Sequence, residues 1–189
     1  VDPLQVWAGS FDLGDINVRV GEIQEAAMFA GDVGWDVYYY GMVTGVASRE
    51  EYEGITGTSE AGAPGETPVR AYFAAGAAFG DQRAEDTLIH EIGHTHRLLH
   101  APCEADNTDP AFPYDGGLIG VEGFDLRTDT FVPPDTLDMM TNCLPRWISD
   151  YHFALLPRML RAKLPSAAIL TFWHIPWPNA ERLAICPWA

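Results

Sequence analysis

The stretch HEIGHTHRLLH, residues 90–100, puts four histidines and one glutamate into a short run and constrains the chain more than any other segment. On a helix, His90 and His94 stand one turn apart on the same face and can grip a single metal ion. Glu91 lies one step around the helix and cannot ligate with them. Its carboxylate is instead placed to take a proton from a metal-activated water and pass it to a leaving amine. His100 is harder to bring in, because an unbroken helix would carry it about 9 Å along the axis from His94 and roughly 120° around it. The helix must therefore end between these two residues. Such an end usually calls for a left-handed residue, which glycine adopts without strain. Arg97 occupies that place, and a left-handed arginine costs about 1–2 kcal/mol. The plainer alternative is a polar helix face with incidental histidines. His96 points two positions around from His94 and reads as a surface or supporting residue; His152 and His174 read as structural.

The 189 residues carry 27 acidic and 11 basic side chains, a net charge of −16, and Lys163 is the only lysine. A nucleic-acid phosphate backbone would be repelled. The same acidity suits a secreted, salt-adapted or calcium-loaded protein, a preference for basic or neutral substrates, or simple solubility. The length predicts one compact domain. No apolar run approaches the roughly 20 residues needed to span a bilayer, and no signal-peptide pattern opens the sequence. Cys103, Cys143 and Cys186 allow at most one internal disulfide, with three buried thiols as the alternative.

Periodicity predicts a helix over about 16–30, with Asp15 as N-cap and Ile16, Val20, Ile23 and Ala27 as the buried stripe. Strands are expected near 36–40 and 43–47 and in VRAYFAAG (69–76), with a Gly- and Ser-rich loop over 51–68. The helix bearing the histidines begins near Asp81. Residues 101–136 read as irregular, with a short strand around GLIGVEGF. A second long helix follows the N-cap Ser149, kinked or restarted at Pro157, and the segment after Pro165 reads as extended. Asp106, Asp109, Asp115, Asp125 and Asp129 offer oxygen ligands for calcium, a further candidate cofactor. Their spacing departs from an EF-hand loop, and a solvated acidic loop is the other reading.

The histidine run resembles the extended His-Glu-x-x-His-x-x-Gly-x-x-His motif of the metzincin zinc peptidases, and DMMTNC downstream resembles their Met-turn. The blocks HEIGHTHRLLHAPC, YDGGLIGVEGFD and DMMTNCLPRWISDY, within about 36–153, narrow the resemblance to bacterial secreted StcE-like, M66-type metallopeptidases. The resemblance implies an α+β fold with an upper lobe over about 1–96 and a lower lobe over about 97–189, the cleft between them. It implies one zinc on His90, His94 and His100, Glu91 as general base, and Met140 in the Met-turn beneath the metal. Gly93 would then allow close approach of that turn, unless it is merely tolerated. Met140, like Met139, can equally be core filler. A protein or peptide substrate would bind extended along an edge strand within about 43–75. The narrower resemblance adds glycoprotein substrates and secretion.

Two departures from the family pattern stand out: Arg97 replaces the usual glycine, and Asn142 stands where several metzincins carry a tyrosine, with Asn142 or Tyr151 as candidate substitutes. A Cys103–Cys143 bridge would tie the metal loop to the Met-turn, leaving Cys186 over. Two other readings stay open. One is a zinc hydrolase of another class, with a downstream glutamate as third ligand. The other is a non-catalytic zinc module on the same fold, although a structural zinc site has no need of Glu91.

Overall fold

The computed structural model describes residues 12–34, 37–43, 56–60, 72–78 and 82–163. The fold is α+β: helix α1 (Leu13–Ala30), strands β1 (Tyr39–Val43), β2 (Gly57–Ser59) and β3 (Phe73–Ala77), then helix α2 (Gln82–Thr95). An irregular stretch follows with β4 (Gly123–Asp125), β5 (Thr130–Val132), β6 (Leu137–Asp138) and β7 (Arg146–Trp147), and helix α3 (Asp150–Lys163) closes the described region.

Helix α1 starts three residues earlier than its periodicity predicts. Asp12, not Asp15, is the N-cap, its carboxylate accepting from Gly14 N at 2.7 Å. The helix stops at Gly31, whose φ of 75° is left-handed and lets its N–H turn back to Ala27 and Met28 carbonyls. Its buried face is Leu13, Asn17, Val20 and Gln24, rotated from the expected stripe. Gln24 is inside because its amide donates to the Val37 and Tyr72 carbonyls at 2.7 and 3.2 Å, satisfying backbone at the start of the sheet.

The sheet order is β1-β3-β2, with β1 parallel to β3 (Tyr39↔Phe73 to Val43↔Ala77) and β2 antiparallel to it (Gly57↔Gly76 to Ser59↔Ala74). β1 runs through Gly41 instead of ending there; residues 44–47 of the second expected strand lie outside the described residues. β2 lies within the expected loop: a three-residue edge strand in a Gly- and Thr-rich setting carries too little apolar alternation to show as one. Apart from Phe73, β3 is built of small residues, and its alternation serves two helices. Phe73 and Ala75 face α1, against Gly21 and Leu13, while Gly76 meets Thr87 of α2.

The short strand expected around GLIGVEGF is β4, which takes up only the end of that stretch and forms a hairpin with β5, where Phe124 and Phe131 pair across strands. β6 and β7 pair in parallel. α3 begins after Ser149, whose hydroxyl accepts from His152 N at 3.2 Å, and passes Pro157 as one helix. A second core gathers Leu98, Ala101, Met139 and Met140, with Phe112, Ile148, Leu155 and Leu156 packed on it. The expected extended segment after Pro165, His174 and Cys186 lie outside the described residues.

Close packing of α1 on β1 requires Gly41, where a Cβ would stand 2.6 Å from Val20 Cγ2. Gly41→Ala should lower the unfolding free energy by about 1–3 kcal/mol through overpacking, read from urea denaturation; an unchanged midpoint would show that α1 does not seat on this strand.

Candidate metal centre

Helix α2 delivers His90 and His94 one turn apart, and the turn after it brings in His100. The helix ends in a Schellman motif: Arg97 N donates to His94 O at 2.7 Å and Leu98 N to Gly93 O at 3.1 Å. Arg97 is the residue at the left-handed position, with φ 61°. The chain then doubles back, and His100 bridges to Thr108.

The three Nε2 atoms converge, His94 lying 3.1 Å from His90 and 3.0 Å from His100. Each ring is held from behind by a backbone carbonyl: His90 Nδ1 to Met139 O at 2.9 Å, His94 Nδ1 to Leu98 O at 2.9 Å, and His100 Nδ1 to Asp106 O at 2.6 Å. A carbonyl only accepts, so each Nδ1 carries the proton, and in the neutral ring each Nε2 presents a bare lone pair. Burial, together with His94 beside it, lowers the His90 pKa to about 3; burial lowers His94 to about 4, so these two rings are neutral at physiological pH. Lone pairs facing one another at this distance repel unless a cation sits among them. Metal–imidazole bonds of about 2.0–2.1 Å in a tetrahedral arrangement separate two nitrogens by roughly 3.3 Å. The triad therefore fits a metal ion, and among the described residues it is the group of ligating side chains able to hold one.

Glu91 is buried on the neighbouring face of α2, with relative exposure of 7%. Burial raises its pKa to about 7, while a hydrogen bond from Ser59 and the charge of Arg146 pull the other way. Gly57 makes room for it, since a Cβ there would stand 2.5 Å from Glu91 Oε1. The edge strand β2 thus passes directly over the carboxylate.

Beneath the histidines lies a turn, Asp138-Met139-Met140-Thr141, closed by Thr141 N donating to Asp138 O at 3.1 Å. Met140 is fully buried, and a Cβ on Gly93 would overlap its sulfur, so glycine at 93 admits the turn against the helix. A disulfide joins Cys103 to Cys143 with Cα atoms 5.9 Å apart. It is flanked by Ala101 N to Met140 O at 3.0 Å and Asn142 N to Cys103 O at 3.1 Å, which stitch the His100 loop to the turn.

Several side chains have duties other than those the sequence suggests. Asn142 Nδ2 donates to Glu104 O at 2.8 Å and Tyr151 OH to Asp109 at 2.7 Å, so both candidate substitutes for the missing tyrosine are engaged in holding loops. His96 is buried, its Nδ1 3.5 Å from Tyr38 OH, so of its two readings the supporting one holds and the surface one does not. The carboxylates of Asp109 and Asp125 accept from Ala111 N and Arg127 N inside their own turns, both at 2.8 Å, and among the described residues the loop aspartates do not gather into a metal-holding group. Sequence reasoning missed Ser59, Arg146 and the tie from Asp138 to His152. Only Asp138 carried a signal, as a polar residue directly before two methionines.

Two family models match this chain. One, described as Peptidase M66, covers residues 69–144, and the other, Glycosyltransferase family 20, covers residues 146–189. The peptidase match contains the triad, Glu91 and the methionine turn, and it supports a peptidase. It ends before the WISDY portion of the block expected to belong with it; from Arg146 onward the similarity is to the glycosyltransferase. Curated relatives share short segments. The trehalose-phosphate synthase A of Dictyostelium discoideum is 46% identical over 22% of this chain and 6% of its own length. A putative trehalose-phosphate synthase 106 kDa subunit of Schizosaccharomyces pombe is 54% identical over 18% of this chain and 4% of its own. The trehalose synthase complex regulatory subunit of Saccharomyces cerevisiae is 51% identical over 30% of this chain and 5% of its own. The chain thus spans about a twentieth of the length of these relatives. No solved structure matches. Among the described residues no helix is long and apolar enough to cross a membrane.

Arg97 gives this site a direct test. Arg97→Gly relieves a left-handed strain of about 1 kcal/mol and should keep the melting temperature equal or higher, whereas Arg97→Val, β-branched at positive φ, should lower it. The reverse ranking in thermal melts would mean that the turn is not left-handed at this residue.

Proposed function

We propose that the protein is a zinc-dependent endopeptidase of the metzincin type, acting from a single catalytic unit with its cleft between the α1–α2 region and the lower loops. The observation that carries this reading is the convergence of three carbonyl-anchored Nε2 atoms beside a buried glutamate. His90, His94 and His100 would hold the metal, which when bound supplies Lewis acidity to polarise the scissile carbonyl and make a water acidic near neutral pH.

Every other task falls to the chain's own side chains. Glu91 accepts the proton of the attacking water and returns it to the leaving nitrogen. A carboxyl raised to about 7 by burial is suited to both transfers at neutral pH. Ser59 and Arg146 keep that carboxyl from rising further and staying protonated. β2, the outer strand of the sheet among the described residues, lies on Glu91 and would pair with the backbone of an extended peptide, aligning the scissile bond without reading its sequence. Met140 is the Met-turn methionine, flooring the site.

The substrate is a peptide or protein. A glycoprotein preference rests on the narrower family resemblance alone. Secretion is consistent with the disulfide, which persists in oxidising compartments.

A second reading is favoured by the Glycosyltransferase family 20 match at residues 146–189, and some of the curated relatives are named as UDP-forming synthases. Within the described part of that segment, His152 is fully buried against Asp138, and Leu155 and Leu156 pack under the methionine turn. These side chains serve the core here. UDP release from a UDP-sugar, assayed with and without an acceptor, would establish the second reading; none is expected.

Glu91→Ala should retain one zinc per chain while peptide cleavage falls by about 10²–10⁴-fold, and His100→Ala should lose the metal. Zinc analysis and a quenched-peptide assay, repeated after chelation and zinc return, check both. A Glu91→Ala protein that has lost zinc, or that cleaves normally, would show that the glutamate is not the base.

A further inference from the structure

We propose that Asp138 is a positioning residue for the metal centre, fixing the one peptide unit that orients His90, and that His152 holds Asp138 in place for this task. The inference rests on the triad being a metal site and assigns a role to the start of the glycosyltransferase-like segment.

The peptide bond between Met139 and Met140 is gripped at both ends. Its N–H, on Met140, donates to Asp138 Oδ1 at 2.7 Å. Its carbonyl, on Met139, points the opposite way, as a trans peptide requires, and accepts from His90 Nδ1 at 2.9 Å. The chain of contacts therefore runs from carboxylate to peptide to imidazole, ending at the Nε2 atom that faces the metal position. An anionic acceptor on the N–H polarises the peptide and makes its carbonyl a better acceptor for the imidazole proton. A stronger acceptor at Nδ1 fixes the ring's tautomer and orientation and raises its basicity toward a metal.

The carboxylate cannot easily rotate away. Oδ1 also accepts from His152 Nδ1 at 2.7 Å, and Oδ2 from Ser149 N at 2.9 Å. Asp138, Ser149 and His152 have no solvent exposure, so each lost bond would leave a polar group buried without a partner. Burial favours the neutral acid, but the hydrogen bonds and charge of His152, with those from Ser149 and Met140 N, win, and the Asp138 pKa is lowered. The acid is thus ionised at neutral pH. Asp138 belongs to the peptidase-like segment; Ser149 and His152 belong to the segment that matches the glycosyltransferase. The first turn of α3 is thereby built into the support of the metal ligand, although it contributes no ligand itself.

The test compares Asp138→Asn, His152→Asn and His152→Ala in the full chain with the disulfide intact. Asn at 138 keeps the shape but loses the charge and one acceptor. Asn at 152 keeps a donor near the Nδ1 position, and Ala removes it. Zinc affinity by chelator competition should fall about 10–100-fold in Asp138→Asn and less steeply in His152→Ala, with His152→Asn closer to the wild type. The visible absorption of the cobalt-substituted protein should shift in the same order, since it reports ligand geometry. Circular dichroism and metal-free melting monitor folding, and the two His152 variants carry the test if Asp138→Asn does not fold. If the variants lower metal-free stability but keep wild-type zinc affinity and cobalt spectrum, Asp138 and His152 are only core polar residues and the inference falls. If the wild type itself binds no zinc, the metal-site reading falls first and this inference with it.

Discussion

Three imidazole nitrogens pointing their lone pairs at a common spot form an arrangement that repels itself, and much of the described structure can be understood as what holds it together. His90, His94 and His100 are each fixed from behind by a carbonyl of a different element: the methionine turn, the residue just past α2, and the loop before Thr108. None of these carbonyls is free to drift. Leu98 is anchored by the Schellman closure, Met139 by the Asp138 turn, and the loop by the Cys103–Cys143 bridge and its flanking hydrogen bonds. A rigid cage of this kind keeps donors oriented for a cation before the cation arrives, so less ordering is left to be done on binding.

The same economy of space governs the upper part of the molecule. β3 is a strand of alanine, glycine and one phenylalanine because it is sandwiched between α1 and α2, and larger side chains on either face would push a helix away. Gly41 admits α1, Gly21 on that helix admits Phe73 of β3, Gly57 admits Glu91, and Gly93 admits Met140. The result brings β2, Glu91 and the histidines into one neighbourhood. Glu91 gains its raised pKa from that crowding, since desolvation is the largest influence on it.

The chain also joins two kinds of segment with separate likenesses, meeting near Pro145. The junction is not a loose linker. β6 of the first segment pairs with β7 of the second, and Asp138 bonds both Ser149 and His152. The core beneath the histidine triad is completed by Ile148, Leu155 and Leu156 from the far side of the junction. Packing, more than kinship, accounts for the part those residues play here.

What the sequence determined by itself is what local spacing controls. His90, Glu91 and His94 are separated by fixed helical increments, so their common face and division of roles could be read from the letters. The need for the helix to end between His94 and His100 followed from the same arithmetic, and the structure ends it with Arg97 at φ 61°. The N-cap Ser149 was equally local. Tertiary structure alone decided the rest, because it depends on contacts between residues far apart in the chain. His90 meets Met139 across 49 positions, Tyr151 is drawn to Asp109 across 42, and Gln24 is buried to serve a carbonyl 48 residues away. Periodicity describes one element at a time, so it misjudged the face of α1, overlooked β2 and could not choose between a surface and a supporting place for His96. Each of those outcomes was set by which unpaired backbone group or open space a neighbouring element happened to present, and such a demand leaves no mark on the spacing of the residues that meet it.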